Sequence, residues 1–141
     1  MKINSEDRIK EKLAVIDSSL KKVDDNLPEK FNEFSKMGIE KDGVYKNVET
    51  AIQSAYDICA MIVKEEDLGV PEEESGLPDL LEKEGILEKE LVEKLKDMKG
   101  FRNALAHRYG NIDDEVAYEN INEGLQDFQT FKKSVIEYLE N

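Results

Sequence analysis

Ile9, Leu13, Ile16, Leu20 and Val23 recur at alternating steps of four and three near the start of the chain. That rhythm puts all five on one side of an α-helix, whereas a strand would alternate its faces every second residue. The pattern returns in Val48, Ala51, Ile52, Ala55, Ile58, Cys59 and Ile62, and again in Tyr118, Ile121, Leu125, Phe128, Val135 and Leu139. Leu91, Leu95, Met98 and Leu105 mark a fourth helix with an inward side. A helix with one apolar stripe must bury it against another element, and no strand signal, repeat or low-complexity tract offers an alternative. The expected class is all-α, an up-and-down four-helix bundle with one or two short extra helices.

Local signals set the expected boundaries. Asn4 or Ser5 can cap the first helix, and Asp24-Asp25-Asn26 closes it. Pro28 suits the first turn of a short helix carrying Phe31 and Phe34. Gly38 and Gly43 bracket a turn before a long helix over 44–64. Residues 65–78 read as an acidic loop, because two prolines and two glycines interrupt any helix there. A short helical piece around Leu80 ends at Gly85, and a long helix starts near Glu88. Tyr109-Gly110-Asn111 breaks that helix, after which Asp113 or Asp114 caps the last one.

Length and composition bound the rest. At 141 residues the chain is expected to be one domain, 1–141, with a core that needs no disulfide or metal. A charged fraction of 38% suits slim helices that each show a broad face to water. Cys59 is the only cysteine, which excludes an intrachain disulfide and suggests a reducing, cytoplasmic home. Its neighbours Ala55, Ile58 and Ile62 make it an inert core thiol. No apolar run approaches the length of a membrane span, and the first residues lack the apolar stretch of a signal peptide. A net charge of −13 argues against general nucleic-acid binding, which depends on Lys and Arg. The sign reverses locally, since 94–108 holds Lys94, Lys96, Lys99, Arg102 and Arg108 against Asp97 alone. That segment is expected to form a small positive mouth on an acidic body.

Within it stands Arg102-Asn103-Ala104-Leu105-Ala106-His107-Arg108-Tyr109, with the only histidine of the chain. Histidine trades protons near neutrality, and a guanidinium grips phosphate through two parallel bonds. Asn103 and His107, four apart, stack on one helix face, while Arg102 and His107, five apart, diverge by about 140°. The Arg and His converge only at a helix end or across an interface. Acid–base chemistry on a phosphate ester needs one group to take a proton and another to give one. One chain offers a single His, so a two-fold dimer that shares one cleft supplies both roles. Plainer readings stand beside these. His107 can simply donate to the last carbonyls of its helix, Arg102 can be a surface ion pair, and Tyr109 can be rim packing.

Arg102-x4-His107-x-Tyr109 resembles the motif of the HEPN superfamily of small helical proteins. Tyr45-Lys46-Asn47-Val48-Glu49 and Met98-Lys99-Gly100-Phe101 extend the likeness to its HepT branch, over roughly residues 5–139. That branch comprises RNase toxins paired with an MntA-type nucleotidyltransferase antitoxin. The resemblance implies catalysis by Arg102 and His107, a supporting polar residue at Asn103, a homodimer, and AMP attachment at Tyr109. Two departures leave the RNA preference open: position 108 is Arg where relatives often have an acidic or neutral residue, and position 46 is Lys where Arg is common.

Weaker constellations complete the reading. Thr50, Ser54 and Asp57 share a polar strip, and Asp57 either orients His107 or Arg102 or merely faces water. His107, Asp113 and Asp114 resemble metal ligands only superficially, because the aspartates occupy capping positions. No metal and no cofactor are expected. The leading expectation is a HepT-like toxin RNase that acts on RNA. The alternative is a non-catalytic HEPN module that binds nucleotide or a nucleotidyltransferase partner.

Overall fold

The computed structural model describes residues 3–107 and 112–141. Six α-helices follow in order: α1 (Ile3–Asn26), α2 (Phe31–Ser35), α3 (Ile39–Glu65), α4 (Leu77–Lys83), α5 (Lys89–His107) and α6 (Asp114–Glu140), with a 3-10 turn at Glu74–Gly76 before α4. Among the described residues there is no strand. The four long helices are α1, α3, α5 and α6, as the periodicity predicts. None of the helices is long and apolar enough to cross a membrane.

Side-chain bonds fix the directions of the helices. Ser5 donates to Glu65 at 3.2 Å and Lys12 to Asp57 at 3.0 Å, so α1 and α3 run antiparallel. Lys132 meets Asp17 at 2.6 Å and the Tyr118 hydroxyl reaches the Pro28 carbonyl, so α6 also opposes α1. Helix α5 packs against α3 on one side and α6 on the other. The result is an up-down-up-down bundle.

Every member of the first stripe is buried, as are all seven apolar positions expected on α3. Leu91, Leu95 and Met98 of α5 are buried, and Leu105 packs at the margin of the same core. On α6, Tyr118, Ile121, Phe128 and Val135 are buried with Leu125 and Leu139 at the rim, and Phe131, absent from the expected stripe, is fully enclosed. Burying side chains of this size contributes about 1.5–3 kcal/mol each before entropy is counted.

Several boundaries differ from expectation. Helix α1 starts at Ile3, so Ser5 lies inside it and spends its hydroxyl on Glu65 instead of capping. Pro28 precedes α2 by three residues, and its carbonyl accepts from Tyr118. Helix α3 begins at Ile39, not Val44, which carries Gly43 inside its first turns, where an added Cβ would meet nothing. The acidic segment is helical at its end, because Pro78 fits the first turn of α4, where no N–H is needed. Gly85 follows α4 with φ of +75°, a conformation that favours glycine. Asp113 is the true cap of α6, accepting from the N–H groups of Glu115 and Val116.

Candidate functional site at the end of α5

Helix α5 is helical through His107, the last residue described before position 112. Met98, Phe101 and Leu105 turn one side of this end into the bundle. Arg102 is half-buried, while Asn103 and His107 are exposed. The Arg102 guanidinium donates from Nη1 to Asn103 Oδ1 at a long 3.4 Å. Its Nε is buried and has no hydrogen-bond partner. Leaving such a donor unpaired costs on the order of 1–3 kcal/mol. Because the helix is regular through His107, Arg102 and His107 point away from each other within one chain. Arg108, Tyr109, Gly110 and Asn111 lie outside the described residues, and with them the expected break and the proposed modification site.

The positive mouth is largely neutralised. Lys96 pairs with Asp79 of α4 at 2.6 Å, and Lys99 pairs with Glu74 of the 3-10 turn. Lys94 stands near Asp127 of α6, whose carboxyl burial pushes up although the Lys94 charge opposes it. The acidic segment after α3 has folded onto α5, which a count of charges along 94–108 cannot reveal. Among the described residues Arg102 is left without an acidic partner.

Asp57 does not serve the motif. Its two oxygens accept from Lys12 and from Gln53, which hold it on the α1–α3 seam. Ser54 is buried rather than part of a solvated strip. Cys59 is fully buried, and burial pushes its thiol up to about 12, so it is inert.

At the same end of the bundle Asp114 accepts from Lys41 Nζ at 2.8 Å and from the Tyr45 hydroxyl at 2.5 Å. Burial works to raise the Asp114 pKa, but these two bonds and the Lys41 charge outweigh it and hold the carboxyl below its usual range. The Tyr45 phenol is pushed up by burial, then by its bond to Asp114 and the surrounding carboxylates. Asp113 and Asp114 are thus committed to the α6 cap and to α3, respectively. Sequence reasoning missed Lys41 and Tyr45 as partners of Asp114. The signal was present, since Lys41 and Tyr45 continue the Val48–Ile52 stripe in steps of four and three. Phe34, fully buried, braces this end with its ring 5.8 Å from Tyr45 and 5.2 Å from Tyr118.

The family model described as Ribonuclease HepT-like matches residues 16–135. The chain belongs to that family. It is 43% identical over 90 residues to an Archaeoglobus fulgidus protein named as a candidate RNase, which covers 62% of this chain and 66% of that one. A Shewanella oneidensis protein named mRNA nuclease HepT is 26% identical over 91 residues, covering 64% of this chain and 68% of the relative. The chain therefore spans about two thirds of the length of these HepT-like relatives. Among solved structures, the tri-AMPylated HEPN toxin of Shewanella oneidensis in complex with MNT antitoxin superposes with a TM-score of 0.85 at 24% identity, over 93% of this chain and 98% of that one. A toxin–antitoxin structure with AMP-PNP gives a TM-score of 0.87 at 23% identity over the same shares. At these identities the structural likeness establishes the fold, and the described residues hold no strand and six helices, within the expected range.

Proposed function

We propose that this chain is a HepT-like RNase toxin, acting as a cytoplasmic homodimer and silenced by a nucleotidyltransferase antitoxin. The observation that carries the reading is Arg102: a half-buried guanidinium with an unpaired Nε and, among the described residues, no acidic partner, on the helix that also bears the only His. Its neighbours Lys96 and Lys99 are already neutralised. A cation left unpaired on a chain of net charge −13 is suited to an anionic guest. The family match and the nuclease names of the relatives support RNA as that guest.

Cleavage then proceeds by transesterification. One His107 takes the proton of a ribose 2′-hydroxyl, whose oxygen attacks the adjacent phosphorus. The bond to the 5′-oxygen breaks, leaving a 2′,3′-cyclic phosphate, and the second His107 of the dimer protonates the departing oxygen. Each proton transfer contributes about 10²–10⁴-fold. Arg102 holds the charge that builds on the phosphoryl oxygens, and Asn103 positions the phosphate or the imidazole. These groups supply base, acid and electrostatic stabilisation without calling on a metal. The divergence of Arg102 and His107 along one helix supports a cleft shared by two copies. Tyr109, two residues past His107, is the proposed site of AMP attachment.

Expression in a bacterial host tests this directly. The wild type slows growth and its purified form cleaves RNA, while Arg102→Ala and His107→Ala relieve both effects with unchanged helical content. Equal toxicity of the three proteins overturns the mechanism. One observation favours a second reading, a non-catalytic helical module that binds nucleotide or a nucleotidyltransferase. The ion pairs of Lys96 and Lys99 leave little positive surface to attract a polymer. Nucleotide binding by a chain that cleaves no RNA selects that reading.

A further inference from the structure

Lys96, Lys99 and Arg102 follow one another at steps of three along α5, so each is the surface neighbour of the next. Like charges in such a row repel and work against the helix unless anions lie across them. Two anions do: Asp79 of α4 covers Lys96, and Glu74 of the 3-10 turn covers Lys99. We propose that Lys96 and Lys99 form a second phosphate subsite, which takes the RNA backbone beside the phosphate held at Arg102. Glu74 and Asp79 occupy it until RNA displaces them. The subsite rests on the RNase reading, but RNA binding tests it apart from cleavage.

Lys99 is built to hold an anion whichever one is present. Its side chain is only 14% exposed, and its Nζ lies 5.6 Å from the centre of the Tyr56 ring. That ring is fixed in turn, buried and bonded through its hydroxyl to the Leu95 carbonyl. A shielded ammonium over an aromatic face stays in place when its carboxylate leaves, so a phosphate meets a preorganised cation. The covering groups are held less firmly. No residue of the 3-10 turn is buried, and the chain enters it through Gly69, at φ of +96°, and the exposed Val70. Glu74 can therefore swing away with little loss of core. Helix α4 is anchored by the buried Leu77, Pro78 and Leu81, so Asp79 leaves Lys96 by turning its side chain alone. That pair is nearly half-exposed on both sides, a setting in which ion pairs are weak and exchange readily. Two neighbouring phosphates on one strand replace both carboxylates together, because binding at one lysine brings the next phosphate to the other. Asn103 lies one turn past Lys99, so the track leads into the motif.

A 2′-O-methyl RNA oligomer lacks the attacking hydroxyl, so it reports binding without cleavage, and its fluorescence anisotropy gives Kd. Glu74→Gln with Asp79→Asn tightens binding on the order of tenfold. Glu6→Gln with Asp17→Asn makes the same change of charge on α1, at the ion pairs of Lys10 and Lys132, and leaves Kd within about twofold. Lys96→Gln and Lys99→Gln each weaken binding, and each flattens the slope of log K against log salt by about 0.7. The proposal is overturned if the Glu74 and Asp79 double variant binds no more tightly than its charge-matched control, or if the lysine variants keep the wild-type slope. Cleavage of ordinary RNA is read separately. If the wild type cleaves none while these shifts in binding appear, the RNase reading falls and the subsite stands. If His107→Ala abolishes cleavage while Kd and slope stay constant across the other variants, the RNase reading stands and the subsite falls. Should Lys99→Gln fail to fold, Lys96→Gln and the carboxylate variants carry the test.

Discussion

Tyr56 reaches from the middle of α3 and donates its hydroxyl to the backbone carbonyl of Leu95 in α5, at 2.8 Å inside the core. The bond sets the register of two antiparallel helices. Tyr45 lies eleven residues back along α3 and His107 twelve residues forward along α5. At a rise of 1.5 Å per residue both stand about 17 Å from the Tyr56 hydroxyl, and therefore at one level of the bundle. Lys99 covers the Tyr56 ring at 5.6 Å while pairing with Glu74, which closes the acidic segment over this point.

Removing that hydroxyl tests the register. Tyr56→Phe keeps the ring and loses the bond, so the chain is destabilised by about 1 kcal/mol in urea titration. A loss within measurement error means that Leu95 does not depend on Tyr56.

Phe131 offers a test of the core. It is fully enclosed, and truncation to Ala should cost about 3–5 kcal/mol through lost burial and the cavity left behind. Val15, 38% exposed on α1, should tolerate the same change within about 0.5 kcal/mol. Matching denaturation midpoints for the two variants contradict the packing of α6 described above.

The stripes of α1 and α3 were legible because periodic burial writes itself into local spacing. Phe131 was not, since it stands beside the chosen stripe and its enclosure comes from neighbouring helices. Gly43 read as a turn, yet α3 runs through it because Val44 and Val48 are buried on the same helix and outweigh a cost of about 1 kcal/mol. The motif itself was plain at 102–107, but its electrostatic setting was not. Glu74 and Asp79 neutralise Lys99 and Lys96 from positions 25 and 17 residues away. The Lys41–Asp114 pair spans 73 residues, so the stripe places Lys41 on the inward face of α3 but leaves no trace of its partner.

Stability should fall at both ends of the pH scale. Burial is the first cause that raises the Tyr45, Tyr56 and Tyr138 phenols, the last to about 12. An unfolded tyrosine titrates near pH 10, so this stabilisation is complete below about pH 10 and lost as pH rises towards the folded values. Asp114 works in the opposite sense. Its folded pKa is depressed, so its contribution is present above an unfolded pKa of about 4 and is lost as pH falls through the lower folded value. Asp127, raised by burial, opposes this on the acid side, which makes the difference between wild type and Asp114→Asn the informative quantity. Thermal melting across pH should show Asp114→Asn with a flatter acid limb and Tyr45→Phe with a flatter alkaline limb. Parallel curves for all three proteins refute the assignment.

We propose a dimer because Arg102 and His107 diverge along one helix. Sedimentation should give a dimer at micromolar concentration, with Arg102 of one protomer facing His107 of its partner. A monomer that cleaves RNA at full rate removes the shared cleft.

Tyr109 is the proposed regulatory handle. Attaching AMP there adds a bulky anion two residues along the chain from His107, and we propose that charge-assisted bonds from Arg102 hold it against the RNA. Incubation with the cognate nucleotidyltransferase and ATP should raise the mass in steps of one AMP and abolish cleavage. Tyr109→Phe should remain an active nuclease and escape silencing. Arg102→Ala should still accept AMP, because the phenol and not the guanidinium is the acceptor. An unmodified wild type, or a Phe variant silenced equally well, transfers the inhibition to simple steric cover by the antitoxin.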